Sequence, residues 1–320
     1  MSHYVIRRLL LFVPTLIGVS LAIFIIMRVI PGDPATVILG GSDAGTGGYT
    51  KQDLQHVREQ LGLDRPIPVQ YLLWVGGVLK LDFGTSIRYS SPVGTEILHR
   101  VPLTFELTAL SLVAGLAAGL PIGMMSAAHQ NTRLDYTGRV LSSVGLAVPN
   151  FWLGTLVIVA LARWFDWVPP LGYATITEDP QQHIQQILPP VLVLGCGFAA
   201  FVARLSRAQV LEVLREDYVR TAFSKGLRSK TVMVRHALKN ALLPVLTLSG
   251  LHVGVLLGGV VTIELIFSLP GLGRLLLDAL TYRDYPLIQA LVFLLAAEFL
   301  GINLLVDLAY SWLDPRIRYA

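Results

Sequence analysis

The chain has 320 residues, of which 53% are hydrophobic and only 14% are Asp, Glu, Lys or Arg, against about 25% charged in an average soluble domain. At a mean hydropathy of +0.62, a water-soluble fold of this size would leave large apolar areas uncovered, which sets aside a soluble enzyme and intrinsic disorder alike. The formal charge is +4 and the single cysteine, Cys196, lies in an apolar run, which excludes an internal disulfide and a cysteine-based metal site and leaves the placement of Lys and Arg to report orientation.

A helix needs about 20 mainly apolar residues to cross a bilayer, because the hydrocarbon is about 30 Å thick and each residue rises about 1.5 Å. The first such stretch runs from Leu9 to Ile30, behind Arg7 and Arg8. It is longer than the apolar core of a signal peptide and no A-x-A-like site follows, so it is expected to remain as an uncleaved helix. Residues 31–102 form an outer segment too long for a plain connector. Within it, Thr50 to Leu61 reads as a short helix with Thr50 at the N-cap, Asp53 at the third position and Gly62 at the end. Pro66 and Pro68 then impose extended chain. The segment is expected to be a small cap over the outer mouth.

The second span, Leu103 to Ala127, carries Gly115, Gly119 and Gly123, and the fifth, Ala241 to Ile263, carries Gly250, Gly254 and Gly258. Small residues every fourth position let helix backbones approach in lipid, which predicts tight packing within one subunit. The third span is Val140 to Leu161. The fourth, Ile187 to Val202, is the shortest, with Pro189 and Pro190 marking a first turn. Its inner end is expected to continue into a basic loop, through Val210, Val213 and Leu214, until Gly226 permits a turn. A second helix with Val232, Val234, Leu238 and Leu242 leads into the fifth span. The sixth runs from Leu287 to Ala309.

Placing the N-terminus in the cytoplasm puts fifteen of the 25 basic residues on the inner side, nine of them between Arg204 and Lys239. The loop from Trp164 to Gln186, then outside, has no Lys or Arg. The reading is an all-α polytopic membrane protein with six spans and both termini cytoplasmic. Residues 1–30 hold the N-terminal end and first helix, 31–102 the outer segment, 103–309 a five-helix core with a loop at 204–240, and 310–320 a tail.

Polar groups inside a span cost free energy unless they face the bundle or water. They are Arg28, Glu106, Asn150, His252, Glu298, Asn303 and Asp307. Of these, Glu298, Asn303, His252 and Asn150 are the candidates for a translocation path, with Glu298 near mid-span the strongest. The alternative for each is a structural hydrogen bond. No H-E-x-x-H, G-x-S-x-G, Walker A or G-x-G-x-x-G is present. Gly271 and Gly273 only begin the last of these.

The loop from Ala203 to Pro244 reads ARLSRAQVLEVLREDYVRTAFSKGLRSKTVMVRHALKNALLP. Here the sequence resembles the permease subunits of ATP-binding-cassette importers, whose loop carries E-A-A-x-x-x-G. Arg220 and Thr221 depart from that pattern, while Ala222 and Gly226 keep it. His236 and Lys239 also depart from the wider superfamily, yet Asp217 to Gly226 and Arg235 to Pro244 fit its peptide and nickel branch. RRLLLFVPTLIGVSLAIFIIMRVIPGDPA (Arg7 to Ala35), LGLDRPIPVQY, LDFGTSIRYSSPV and LPGLGRLLLDALTYRDYP resemble the B-type subunit of dipeptide and oligopeptide permeases.

The resemblance implies the type I importer permease fold in a bacterial plasma membrane, and inward transport of short peptides. It makes the loop a coupling helix that docks on a cytoplasmic ATPase, with Tyr218, Arg220, Thr221, Ala222, Lys225 and Gly226 at the contact. It further implies a second, C-type permease, two ATPases and an extracytoplasmic peptide-binding protein as partners, and no nucleic acid. No cofactor or metal is expected on this chain, ATP and magnesium being used by the ATPases. Alternatives are a nickel permease of the same branch and an ion-coupled secondary transporter.

Overall fold

The structure is a computed structural model that describes residues 2–29, 35–36, 39, 50–60, 63–170, 172–228 and 231–313. Its helices are α1 (Ser2–Val29), α2 (Lys51–Gln60), α3 (Ile67–Leu79), α4 (Val93–Leu98), α5 (Val101–Ala128), α6 (Arg133–Ala147), α7 (Asn150–Phe165), α8 (Pro180–Val213), α9 (Asp217–Ser224), α10 (Lys239–Ile266), α11 (Leu272–Thr281) and α12 (Tyr285–Leu313). A π-helical turn, Val232–Leu238, leads into α10. Five helices among the described residues are long and apolar enough to cross a membrane, and α6 with α7 makes a bent sixth.

The described residues form two compact units, one within 103–270 with 302–313, the other within 2–102 with 271–301. In the first, α8 is the axis. Its buried Val191, Leu194, Phe198 and Val202 meet Leu103 and Leu107 of α5 and Leu256, Val260 and Ile263 of α10. The glycine ladder of α5 lies against α8: a Cβ at Gly119 would stand 2.6 Å from the Ala199 carbonyl oxygen, and Gly115 and Gly123 meet Phe198 and Ser206. The ladder is thus a packing face within the subunit, as expected. In α10 two neighbouring glycines differ. Nothing lies within 4 Å of a Cβ at Gly258, whereas Gly259 meets Asn150 and Leu194.

Two spans differ from the hydropathy reading. The third is two helices bent by 100°. Pro149 keeps Val148 out of the helical region, at φ −83° and ψ 120°, and α7 begins anew after it. The fourth begins not at Ile187 but at Pro180, because the Asp179 side chain accepts from the N–H groups of Gln181 and Gln182 and caps the helix seven residues earlier than the span reads. Pro189 and Pro190 are inside it, which membrane helices tolerate when neighbours satisfy the freed carbonyls. At 34 residues α8 is about 50 Å long, well beyond the hydrocarbon thickness. It stops at Val213 rather than running to Gly226, and α9 is a separate helix.

In the second unit, Ile23 and Met27 of α1, Val93 and Ile97 of α4, Leu275 of α11 and Leu291 of α12 form one core. Fully buried Asp284 accepts from the Ser86 hydroxyl at 2.5 Å, the Arg88 N–H at 3.0 Å and the Leu287 N–H at 3.3 Å, so it caps α12 and pins the 86–88 turn together. The expected capping box forms on α2: the Thr50 N–H and hydroxyl donate to Asp53 at 2.8 and 2.7 Å, and the Asp53 N–H to the Thr50 hydroxyl at 3.2 Å. The first of these donors chiefly holds the Asp53 carboxyl below its ordinary range. The expected stop at Gly62 lies outside the described residues.

Candidate functional site

The C-terminal end of α8 gives way to α9 through a turn at Arg215 and Glu216 whose N–H groups bond to the Glu212 and Val213 carbonyls. Eight residues make an unstable helix alone, so α9 depends on what it packs against. Val219 and Ala222 are buried on Val213, Leu214 and Val232. The Tyr218 hydroxyl accepts from Asn240 of α10 at 2.6 Å. The helix is therefore fixed to α8, to the π-helical turn and to α10 at once.

Its end has a Schellman geometry. Gly226 takes φ +76°, its N–H bonds to the Phe223 carbonyl at 2.9 Å and the Leu227 N–H reaches back to the Ala222 carbonyl at 3.3 Å. Glycine takes this left-handed conformation without the steric cost that a Cβ imposes. The outward face carries Arg220, Thr221, Phe223, Ser224 and Lys225, all exposed. The Arg220–Asp217 pair, 3.5 Å apart with both side chains in solvent, contributes little. Ala222 does not share this face: it is 6% exposed and turned toward the chain itself, so its small size serves the packing of α9 rather than an outward contact.

The four path candidates have separate surroundings. Asn150 opens α7 with its amide against Gly197 of α8 and Gly259 of α10, within 3.0 Å of where their Cβ atoms would stand. His252 stacks on Phe201, centroids 4.0 Å apart and ring planes nearly parallel, with Phe198 at 5.9 Å. Glu298 is half-buried on α12, and Asn303, on the same helix, has a buried Oδ1 without a hydrogen-bond partner. The Asp307 side chain lies outside the described residues.

Three polar contacts escape the hydropathy reading. Asp135, fully buried near the start of α6, takes a two-pronged contact from Arg207 of α8, Nε at 2.7 Å and Nη2 at 2.8 Å. It also accepts from the Ser126 hydroxyl at 2.5 Å and the Asn131 N–H at 3.0 Å. Glu264, fully buried in α10, accepts from Thr104 of α5 at 2.6 Å. His183 contacts Glu106 at 2.8 Å through Nε2 and the Ala174 carbonyl at 3.0 Å through Nδ1. In the adjoining loop the Thr175 N–H and hydroxyl, each 2.9 Å from Glu178, hold that carboxyl below its ordinary range.

Two families of observation meet this geometry. Residues 119–319 match the family described as "Binding-protein-dependent transport system inner membrane component", and residues 1–108 match its N-terminal component. The chain is 39% identical over 339 residues to the dipeptide transport system permease protein DppB of Alkalihalophilus pseudofirmus, and 42% identical over 320 residues to the glutathione transport system permease protein GsiC of Pectobacterium atrosepticum. Each match covers 100% of both chains. In fold it is similar to a solved methionine ABC transporter, MetNI, in inward-facing conformations, with a TM-score of 0.57 at 17% identity over 68% of this chain and 96% of that one. The chain belongs to the binding-protein-dependent inner-membrane transport components, as a multi-pass permease.

Proposed function

We propose that this permease carries short peptides inward across a bacterial plasma membrane, powered by separate ATPases that bind α9. The observation that supports the reading most is the full-length match to permeases whose names specify dipeptide and glutathione. The exposed face of α9, with Arg220, Thr221 and Lys225 beside Tyr218 and the Gly226 turn, is the ATPase contact. A short helix fixed to both α8 and α10 would pass a displacement to two long helices as one body, which is what alternating access by rigid-body motion requires.

The partners in this reading are a second permease, two ATPases that use ATP and magnesium, and an extracytoplasmic peptide-binding protein. Both termini are cytoplasmic, following the fifteen basic residues on that side. Residues 31–102 act on the outer side and 103–309 form the permease core. Glu298, Asn303, His252 and Asn150 line the path in this reading.

The test is uptake of a labelled dipeptide by the complete complex in proteoliposomes, with ATP supplied to the ATPase side and the proton gradient collapsed. Uptake that persists supports the reading; uptake that stops with the gradient returns the secondary transporter. Glu298→Gln is expected to lower that uptake without loss of assembly, and a wild-type rate removes Glu298 from the path.

A further inference from the structure

The outer segment contains a helix with an unexpected surface. α3, IPVQYLLWVGGVL, has no charged residue in thirteen and none of them is buried. Ile67, Leu72, Leu73 and Leu79 are 60%, 67%, 52% and 81% exposed. At about 20 Å it is too short to span a bilayer, and a cap standing in water would offer such a face no favourable neighbour.

Two contacts fix its depth independently. The Tyr71 hydroxyl hydrogen-bonds to Ser20 at 2.8 Å. Ser20 is nine residues before the end of α1 at Val29, about 13 Å along the helix axis into the span. The Trp74 ring packs edge-on against Phe293 at 5.8 Å. Phe293 is eight residues into α12 from Tyr285, again about 12 Å. Both rings also meet Phe24 of α1, at 5.4 and 6.2 Å. Higher up, Gln70 accepts from Arg28 at 2.5 Å near the end of α1. The exposed Arg65 and Lys80 flank the helix.

We infer that α3 is embedded in the membrane leaflet at the outer end of α1, with lipid acyl chains as the partner of its exposed leucines and headgroups meeting Arg65 and Lys80. A helix suits this position because its backbone groups bond to one another and need no water. The inference rests on α1 and α12 being spans, and the orientation of the chain only names the leaflet.

The test is spin labelling of single cysteines at Leu72, Leu73 and Leu79 in a Cys196→Ser background, in the complete complex in proteoliposomes. Collision with oxygen, which concentrates in lipid, is compared with collision with a water-soluble nickel chelate. A label at exposed Ile17 of α1 reports the span and one at exposed Gln55 of α2 reports water. Labels on α3 are expected to match Ile17 and to favour oxygen several-fold more than Gln55. Nickel access equal to Gln55 would place α3 in water and overturn the inference; low access to both reagents would show a protein partner covering it, and overturn it too. A failure of the span reading itself would show separately, at Ile17.

Discussion

The two ends of α8 are each tied to a neighbouring helix by one ionisable pair, and the pairs differ in kind. In the orientation proposed above, the inner end carries Arg207 and Asp135 as a fork, and Ser126 and the Asn131 N–H complete the carboxylate's four contacts. Guanidinium stays protonated, so this contact is charged in every state of the protein. At the outer end both nitrogens of His183 face oxygen, the Ala174 carbonyl on one side and Glu106 on the other. A carbonyl only accepts, so one ring proton is on Nδ1, and the second contact needs a proton shared with Glu106. The helix is thus held by a fixed, multiply bonded clamp on the side that bears α9, and by a single proton-dependent contact on the other. In the coupling role proposed above for α9, a push through that end meets the stiffer of the two contacts, and the single contact at the far end is the one free to open.

Removing one partner of the clamp should have the largest effect. Asp135→Ala leaves Arg207 without its counter-charge, and losing one member of a buried pair costs about 3–5 kcal/mol. The fork is 21% exposed on the arginine side, so the low end is expected. The measure is monodisperse protein recovered from membranes and its thermal aggregation midpoint. Asp135→Leu with Arg207→Met, which removes both charges, should recover much of the loss. Wild-type stability of Asp135→Ala would erase the distinction between the two ends.

Gly226→Val comes next. The position has open space around it, so a side chain meets no clash. Its φ of +76° is instead the obstacle, and a left-handed conformation costs a residue with a Cβ roughly 1–2 kcal/mol. The strain unwinds the last turn of α9, and co-purification of the ATPases should fall about tenfold, as 1.4 kcal/mol implies. Membrane yield should remain near wild type, because Gly226 is outside the core. Full retention of the ATPases would detach α9 from the coupling role.

What was legible in the sequence follows from the range of the interaction. The spans, the Thr50–Asp53 box and the turn at Gly226 are local, and a window of a few residues contains all of their causes. The bend at Pro149 was equally local, but hydropathy averages across it. Asp135 and Glu264 were missed for a physical reason. The apolar run Val140 to Leu161 begins just after Arg139 and the run Ala241 to Ile263 stops just before Glu264, so Asp135 and Glu264 fall outside both. Both are nonetheless fully buried, because Arg207, 72 residues away, and Thr104, 160 away, supply their contacts. The charges singled out instead, such as Glu298, stand alone within apolar runs, which is why they were visible.

His183→Gln gives the smallest effect and the sharpest view of the outer contact. Glutamine can still donate one hydrogen bond, to the carbonyl or to Glu106, but its geometry does not serve both. One net hydrogen bond contributes about 1 kcal/mol, so the thermal midpoint should move far less than in Asp135→Ala. The His183 ring also packs against Tyr173 at 6.0 Å, so Glu106→Gln, which keeps that ring contact, separates loss of the shared proton from loss of packing. If the outer contact opens and closes during the cycle, both variants should change the rate of dipeptide uptake more than they change stability. A stability loss equal to that of the inner variant, with uptake falling only in proportion, would make His183–Glu106 a second fixed clamp and remove the asymmetry of α8.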